Sequence, residues 1–129
     1  MKLCINSRDE LRLIELDEVV YLKACGNYTD FHFKDAHVMS ETNNLFAFTQ
    51  QIEELYSNLS DSPFLRVGRS YVVNMNYVSL INIPKRMIQF RIPAGSFITL
   101  PKNQCANLRN MMLMKYKNVS SPESLQFKP

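Results

Sequence analysis

Two arginines bracket a glycine in the segment Phe64–Asn74, which reads FLRVGRSYVVN. Arg66 and Arg69 lie three residues apart, and Gly68 between them can adopt backbone conformations that other residues avoid. A guanidinium group presents paired N–H donors in a fixed plane, which suits phosphate groups and the edge of guanine. The spacing therefore predicts a turn that holds guanidinium groups outward for an anion or a base. The alternative is a surface turn with two solvated arginines.

Charge is divided unevenly along the chain. Residues 1–61 contain 5 Lys/Arg and 11 Asp/Glu, a net charge of −6, whereas residues 62–129 contain 10 Lys/Arg and a single acid, Glu123, a net charge of +9. A basic half in so small a protein indicates a polyanionic partner, most commonly a nucleic acid. A membrane surface is the rival partner, but it would favour a basic amphipathic helix, and these bases lie mostly in predicted turns and strands.

The length of 129 residues predicts one domain, and no apolar stretch approaches the roughly 20 residues of a membrane span. The first residues are charged too early for a signal peptide. Three cysteines, Cys4, Cys25 and Cys105, are odd in number and far apart, with no CxxC motif. This pattern indicates a protein of the reducing cytoplasm and predicts that its thiols pack in the core as small hydrophobic side chains.

Antiparallel β structure is predicted for the first third of the chain. Short apolar or alternating runs are separated by charged residues, and Gly26-Asn27 is a strong turn signal. Alternation after this turn places Thr29, Phe31 and Phe33 on one face of a strand. The strands predicted here are Leu3–Asn6, Leu11–Leu16, Val19–Ala24, Tyr28–Lys34 and His37–Glu41.

A helix is predicted next, because Asn43-Asn44 offers an N-cap and apolar residues recur at helical spacing over Leu45–Leu59. Ser60–Pro63 would end it. The strands predicted later in the chain are Tyr71–Val73, Val78–Ile83, Met87–Ile92 and Phe97–Leu100.

A second helix is predicted to begin at Pro101, since proline suits the first turn of a helix, and to run to about Tyr116. It would bury Cys105, Leu108 and Met112. Residues 118–129 are polar and aperiodic and are predicted to be a flexible tail after a domain of residues 1–117.

With these segments in place, the chain resembles the LytTR family of bacterial DNA-binding domains over roughly residues 10–115. The third of four matching pieces is the most specific, because its sequence FLRVGRSYVVN is similar to the family signature F-x-R-h-H-R-S-Y-h-V-N. The four pieces are, in order, Val19–Ala24 with Gly26-Asn27-Tyr28, Leu45–Leu55, Phe64–Asn74 and Ile98–Asn103.

The resemblance implies a mainly β fold, with short antiparallel sheets in an elongated arrangement, one central amphipathic helix and a C-terminal helix. It also implies loops that insert into successive major grooves of promoter DNA, usually at paired direct repeats. Family members usually follow a receiver domain, and no receiver pattern is visible here. We therefore expect either a stand-alone regulator or an excised domain, partnered by a second copy on DNA or by a separate receiver or sensor protein.

Carried over position by position, the resemblance assigns DNA contacts to three loops. The residues are Asn27 and Tyr28 in the first loop, Gly68, Arg69 and Ser70 with Arg66 nearby in the second, and Lys102 and Asn103 in the third. Three positions depart from the family pattern and affect base preference. Gly68 stands where His is common, Pro101 where Ser is common, and Asn103 where a second basic residue is frequent.

Each of these positions also has a plainer interpretation. Arg69 could form a surface salt bridge, although Glu123 is the only acid after residue 61. Lys102, at a predicted helix N-terminus that favours phosphate, could be an ordinary solvated lysine. Asn27 and Tyr28 could be turn residues only. Arg66 could brace its own segment through backbone carbonyls, and Asn74 is predicted to cap the following turn.

No enzymatic activity, metal, cofactor or small-molecule substrate is expected. His32 and His37 lack the Cys or spaced carboxylates that would complete a metal site. Ser70 is not in a G-x-S-x-G motif, and only three glycines leave little room for a nucleotide-binding loop.

The leading hypothesis is a sequence-specific regulator of transcription that binds double-stranded DNA. A protein-interaction module that keeps the fold but has little specific DNA affinity is the alternative, and DNA binding without salt dependence would favour it. A third hypothesis is RNA binding, with Tyr28 and Tyr71 as stacking platforms. Competition between duplex DNA and RNA would separate the first hypothesis from the third.

Overall fold

The structure, a computed structural model, describes residues 1–59 and 61–121. Within these ranges the chain forms strands and two α-helices, in the mainly β arrangement that the sequence predicts. The strands are β1 (Lys2–Asn6), β2 (Leu11–Glu15), β3 (Val19–Cys25), β4 (Tyr28–Phe33), β5 (Val38–Thr42), β6 (Phe64–Val67), β7 (Tyr71–Asn74), β8 (Val78–Asn82), β9 (Met87–Phe90) and β10 (Phe97–Thr99). The helices are α1 (Leu45–Tyr56) and α2 (Lys102–Lys115).

Three antiparallel sheets organise these strands. The largest has five strands in the order β5-β4-β3-β7-β6, so that β3 at its centre pairs with both β4 and β7. A hairpin of β1 and β2 forms a second sheet, and β10-β9-β8 forms a third. The central position of β3 matters for the site, because it brings the β3–β4 turn close to the β6–β7 turn.

The first core lies between α1 and one face of the large sheet. Thr29, Phe31 and Phe33 share one face of β4, as predicted, and this face is buried. On α1 the buried side chains are Leu45, Phe48 and Ile52. The rings of Phe31 and Phe48 meet edge to face with centroids 5.1 Å apart, which joins the helix to the sheet.

Helix α1 starts as predicted and ends earlier than predicted. The side chain of Asn44 accepts a 2.9 Å hydrogen bond from the amide of Ala47, which is the expected N-cap. The helix ends at Tyr56, where the amide and hydroxyl of Ser57 both bond to the carbonyl of Glu54. This tightened turn stops the helix, so the prediction that it extends to Leu59 is wrong and Leu59 is exposed.

The second core lies between α2 and the three-stranded sheet. Ile88, Ile98 and Leu108 are buried there together with Val20 and Val73 from the large sheet. The same two central strands, β3 and β7, therefore contribute to both cores. Helix α2 begins one residue later than predicted, with Pro101 as its N-cap.

The cysteine prediction holds for one residue of three. Cys105 on α2 is buried, but Cys4 and Cys25 are exposed, so their assignment to the core is wrong. Cys4 lies on the outer face of the β1–β2 hairpin opposite Leu13, and Cys25 lies at the end of β3, where its thiol donates to Asp30 over 3.1 Å.

The remaining segments differ little from expectation. Strand β6 was not predicted, and it forms because Phe64–Val67 pairs with β7 in register. Residues 118–121 contain no helix or strand, and the rest of the predicted tail, residues 122–129, lies outside the described residues.

Candidate nucleic-acid interface

The β6–β7 turn is built around Gly68. Its backbone φ is +64°, in the left-handed region that favours glycine, and Val67 pairs with Tyr71 directly across the turn. Arg69 and Ser70 are the exposed residues of this three-residue turn. The glycine thus allows β6 to reverse sharply into β7 and leaves the next two side chains in solvent.

Arg66 braces this turn from within. Its Nε donates to the carbonyl oxygen of Gly68 over 3.1 Å, and its Nη2 lies 3.5 Å from the carbonyl oxygen of Arg69. The side chain is half-buried. These contacts agree with the alternative interpretation, in which Arg66 braces its own segment through backbone carbonyls. They also stabilise the turn in which Arg69 lies.

Arg69 itself has no ion pair among the residues that the structure describes. The surface salt bridge considered from the sequence therefore has no partner in this part of the chain. An exposed guanidinium without a carboxylate keeps its five donors available for a ligand.

The β3–β4 turn emerges beside the β6–β7 turn. Gly26 has a φ of +60°, and Cys25 pairs with Tyr28 across the two-residue turn Gly26-Asn27. Asn27 and Tyr28 are both exposed, Tyr28 by 50 %. The amide of Ala24 donates to the carbonyl oxygen of Ser70 over 2.8 Å, which ties the end of β3 to the neighbouring turn.

The β10–α2 junction completes the group of loops. Lys102 and Asn103 are the first two residues of α2, and both are exposed. Pro101 provides no side-chain cap, so the first amide groups of the helix have no side-chain acceptor there. A Cβ built on Gly68 would lie 3.4 Å from the Gln104 side chain, which shows how closely the β6–β7 turn approaches α2.

A groove of about 540 Å³ runs between these loops. Its lining comes from the end of β3, the β6–β7 turn and the start of α2. The lining residues are Lys23, Ala24, Val67, Gly68, Arg69, Ser70, Tyr71, Thr99, Leu100, Pro101, Asn103 and Gln104. Three segments that are far apart in sequence therefore share one surface, and most of the predicted site residues lie in or beside it.

Several lining residues were not predicted from the sequence, and Lys23 and Gln104 are two of them. Lys23 is an exposed residue of β3 paired with Tyr71 of β7, and its position shortly before a turn with a predicted contact could have identified it. Gln104 carries no such signal, because only the fold brings it beside Gly68, which is distant in sequence.

One carboxylate lies close to this basic surface. Asp30 pairs with Lys23 across β3 and β4. A hydrogen bond from Ser40 and a second from Cys25 lower the pKa of Asp30. The carboxylate is thus kept ionised by groups of its own sheet.

The family model of the LytTR DNA-binding domain matches residues 9–113. The chain belongs to the LytTR family. LytTR domains bind DNA, so this chain is a DNA-binding domain, and the family is not an enzyme family. No match was found among curated proteins.

The LytTR fold is also found by comparison with solved structures. The chain is similar to the structure titled "LytTr DNA-binding domain of putative methyl-accepting/DNA response regulator" from Bacillus cereus, with 17 % sequence identity and a TM-score of 0.60. The match covers 89 % of this chain and 97 % of that one. It confirms the fold predicted from the resemblance.

None of the helices in the described LytTR chain is both long and apolar enough to cross a membrane.

Proposed function

We propose that this LytTR domain is a sequence-specific regulator of transcription that inserts its loops into successive major grooves of double-stranded promoter DNA. The observation that carries the proposal is that the end of β3, the β6–β7 turn and the start of α2 share one groove. Arg69 in the middle turn has no ion pair within the described residues. A major groove about 12 Å wide admits a two-stranded β-ribbon, and β6 and β7 form such a ribbon with Arg69 in its turn.

The roles of the loops follow from the chemistry of their residues. Arg69 is the base reader of the middle turn, because its free guanidinium can donate two parallel hydrogen bonds to guanine. Lys102 and the uncapped start of α2 contact phosphate, since both cations and helix N-terminal amides favour an anion. Asn27 and Tyr28 contact DNA from the β3–β4 turn. Ser70 contacts DNA beside Arg69, and Asn103 does so beside Lys102.

Arg66 and Gly68 contribute through the shape of the middle turn. Gly68 provides the left-handed conformation, and the Arg66 side chain holds the carbonyl groups of Gly68 and Arg69. Arg66 is therefore a positioning residue in this proposal and not a direct contact.

The partners proposed are bacterial promoter DNA with direct repeats and a second copy of the chain bound to the adjacent repeat. A separate receiver or sensor protein would supply the signal. Such a regulator acts in the cytoplasm, without catalysis and without a cofactor. Two copies that meet the same face of the duplex require half-site centres about 10–10.5 bp apart, or a multiple of that distance.

Selection from a randomised duplex DNA pool tests the proposal. The purified protein is incubated with the pool near physiological salt, and the bound fraction is sequenced. We expect an enriched motif that appears twice in the same orientation at helical-turn spacing. Retention without any enriched motif, lost as salt rises, would contradict sequence-specific binding and leave only nonspecific attraction between charges.

A further inference from the structure

Gln104 is the third residue of α2 and occupies the side of the groove that faces the β6–β7 turn. Its backbone amide bonds to the carbonyl of Pro101 over 3.1 Å, which is part of the first helical turn. Its side chain is half-buried. Within the described part of the chain, the carboxamide has no hydrogen-bond partner. Both its donor and its acceptor are therefore open to the groove.

Gly68 leaves the space in which this carboxamide lies. A Cβ at position 68 would meet Cγ and Cδ of Gln104 at 3.4 Å and its Oε1 at 3.7 Å. These distances are ordinary van der Waals contact, so the Gln104 side chain lies directly beside the backbone of the turn. The β6–β7 turn and a polar group of α2 therefore meet in the groove.

Gln104 is half-buried beside the turn, so its side chain has less freedom than that of a fully exposed glutamine. A long polar side chain loses conformational freedom when it binds, and a group that is already held loses less. The structure thus combines a half-buried side chain with polar atoms that have no partner within the described residues, which is the arrangement expected of a recognition group rather than of a solvated surface glutamine.

We propose that Gln104 is a specificity-determining residue that reads adenine beside the base read by Arg69. The proposal rests on the proposed function of the groove. A carboxamide can accept a hydrogen bond from N6–H of adenine and donate one to N7, and this pair of contacts is available in the major groove only. Arg69 and Gln104 line the same groove from its two sides, so their bases belong to one half-site.

The experiment is the duplex selection, carried out in parallel on the wild-type protein and on variants. Gln104→Glu keeps the size of the side chain but removes its donor, so it can no longer donate to N7 of adenine. A carboxylate accepts from N4–H of cytosine instead. Gln104→Ala removes both contacts. The matched control is Gln51→Glu, an exposed glutamine on α1 that does not line the groove.

We expect adenine to be enriched at one position of the wild-type motif and cytosine at that position with Gln104→Glu. Gln104→Ala should lose the preference there and bind the wild-type sequence about 5- to 150-fold more weakly. All other positions should remain as in the wild type, and the control should reproduce the wild-type motif. A side chain that only supports Gly68 would weaken binding without exchanging one base for another.

The possible failures are distinguishable. If the wild-type protein selects no motif, the proposed function itself is wrong. If Arg69→Ala changes the motif but Gln104→Glu and Gln104→Ala leave every position unchanged, the function stands and the role of Gln104 is wrong. Thermal unfolding of each variant identifies any that fails to fold, and in that case Gln104→Asn, which is shorter by one methylene, replaces it and should also lose the adenine preference.

Discussion

The amide of Ala24 donates a 2.8 Å hydrogen bond to the carbonyl oxygen of Ser70, and this bond connects two turns of the candidate interface. Ala24 lies near the end of β3, and Ser70 is the last residue of the β6–β7 turn. Because β3 and β7 are neighbouring strands of one sheet, the separation of the two turns is set by strand pairing and not by the loops. Substitutions in the turns should therefore change which bases are contacted more than how far apart the contacts are.

Replacing Arg69 tests the middle turn. Arg69→Ala should weaken binding to the preferred sequence by about 1–3 kcal/mol, because a bidentate contact to guanine is lost. Arg69→Lys keeps the charge without the planar fork, so it should retain nonspecific affinity and still lose the base preference. Binding is measured by fluorescence anisotropy on the selected sequence and on a scrambled one.

The control for Arg69 is Arg109→Ala, which removes the same charge from α2 outside the groove. We expect it to affect the two DNA sequences equally. If Arg69→Ala also lowers both affinities by one common factor, Arg69 contacts phosphate and does not read a base.

Replacing Lys102 tests the phosphate contact at the start of α2. Lys102→Ala should weaken binding to all duplexes similarly and reduce the slope of log K against log salt by about one, since one fewer counterion is released. Lys115→Ala, at the other end of the same helix, is the matched control and should leave the slope as it is. An unchanged slope for Lys102→Ala would show that Lys102 is a solvated lysine.

Replacing Asn74 tests the junction of the two cores. This buried side chain donates from Nδ2 to the carbonyl of Val19 over 2.9 Å, and its Oδ1 accepts from the amide of Asn76 over 3.0 Å. Asn74→Ala should lower the free energy of unfolding by about 1–3 kcal/mol, because it leaves a buried carbonyl unsatisfied. Urea unfolding measures the effect, and Asn76→Ala, at an exposed position, should change it by less than about 0.5 kcal/mol. Equal losses for the two variants would contradict a structural role of the Asn74 side chain.

The structure also shows which features the sequence could predict. Local signals were sufficient for the β3–β4 turn, where Gly26-Asn27 closes the hairpin, and for the cap of α1 by Asn44. The structural role predicted for Asn74 is confirmed by its hydrogen bonds. In each case the predicted contact lies within a few residues of the chain, as in the bond between Asn74 and the amide of Asn76, whereas the bond from Asn74 to Val19 is not local.

Features that depend on distant partners were not predictable. Strand β6 has only four residues and is defined by its pairing with β7. Cys4 is exposed because it lies on the outward face of the β1–β2 hairpin. A short alternating run does not specify which of its two faces is buried. The close approach of Gly68 and Gln104 brings together residues 36 positions apart. DNA contacts of individual residues remain predictions for the same reason, since they depend on a partner outside the chain.

His32 should make stability depend on pH. Its ring stacks on Tyr21 with centroids 4.2 Å apart, and burial lowers the pKa of His32 below its ordinary value of 6.5, while Asp30 partly opposes this shift. The unfolded chain therefore binds a proton at a higher pH than the folded protein does. Stability is unaffected by His32 above about pH 6.5 and falls as pH decreases from there to the lower pKa of the folded state.

His32→Phe keeps an aromatic ring against Tyr21 and removes the titrating group. We expect the free energy of unfolding, measured by urea denaturation at pH 7.5 and pH 5.5, to decrease less for this variant than for the wild type. Groups that titrate elsewhere are common to both proteins, so the difference between the two decreases isolates His32. Parallel decreases would mean that the ring can be protonated in the folded state without penalty, and burial would then not be the cause of the pH dependence.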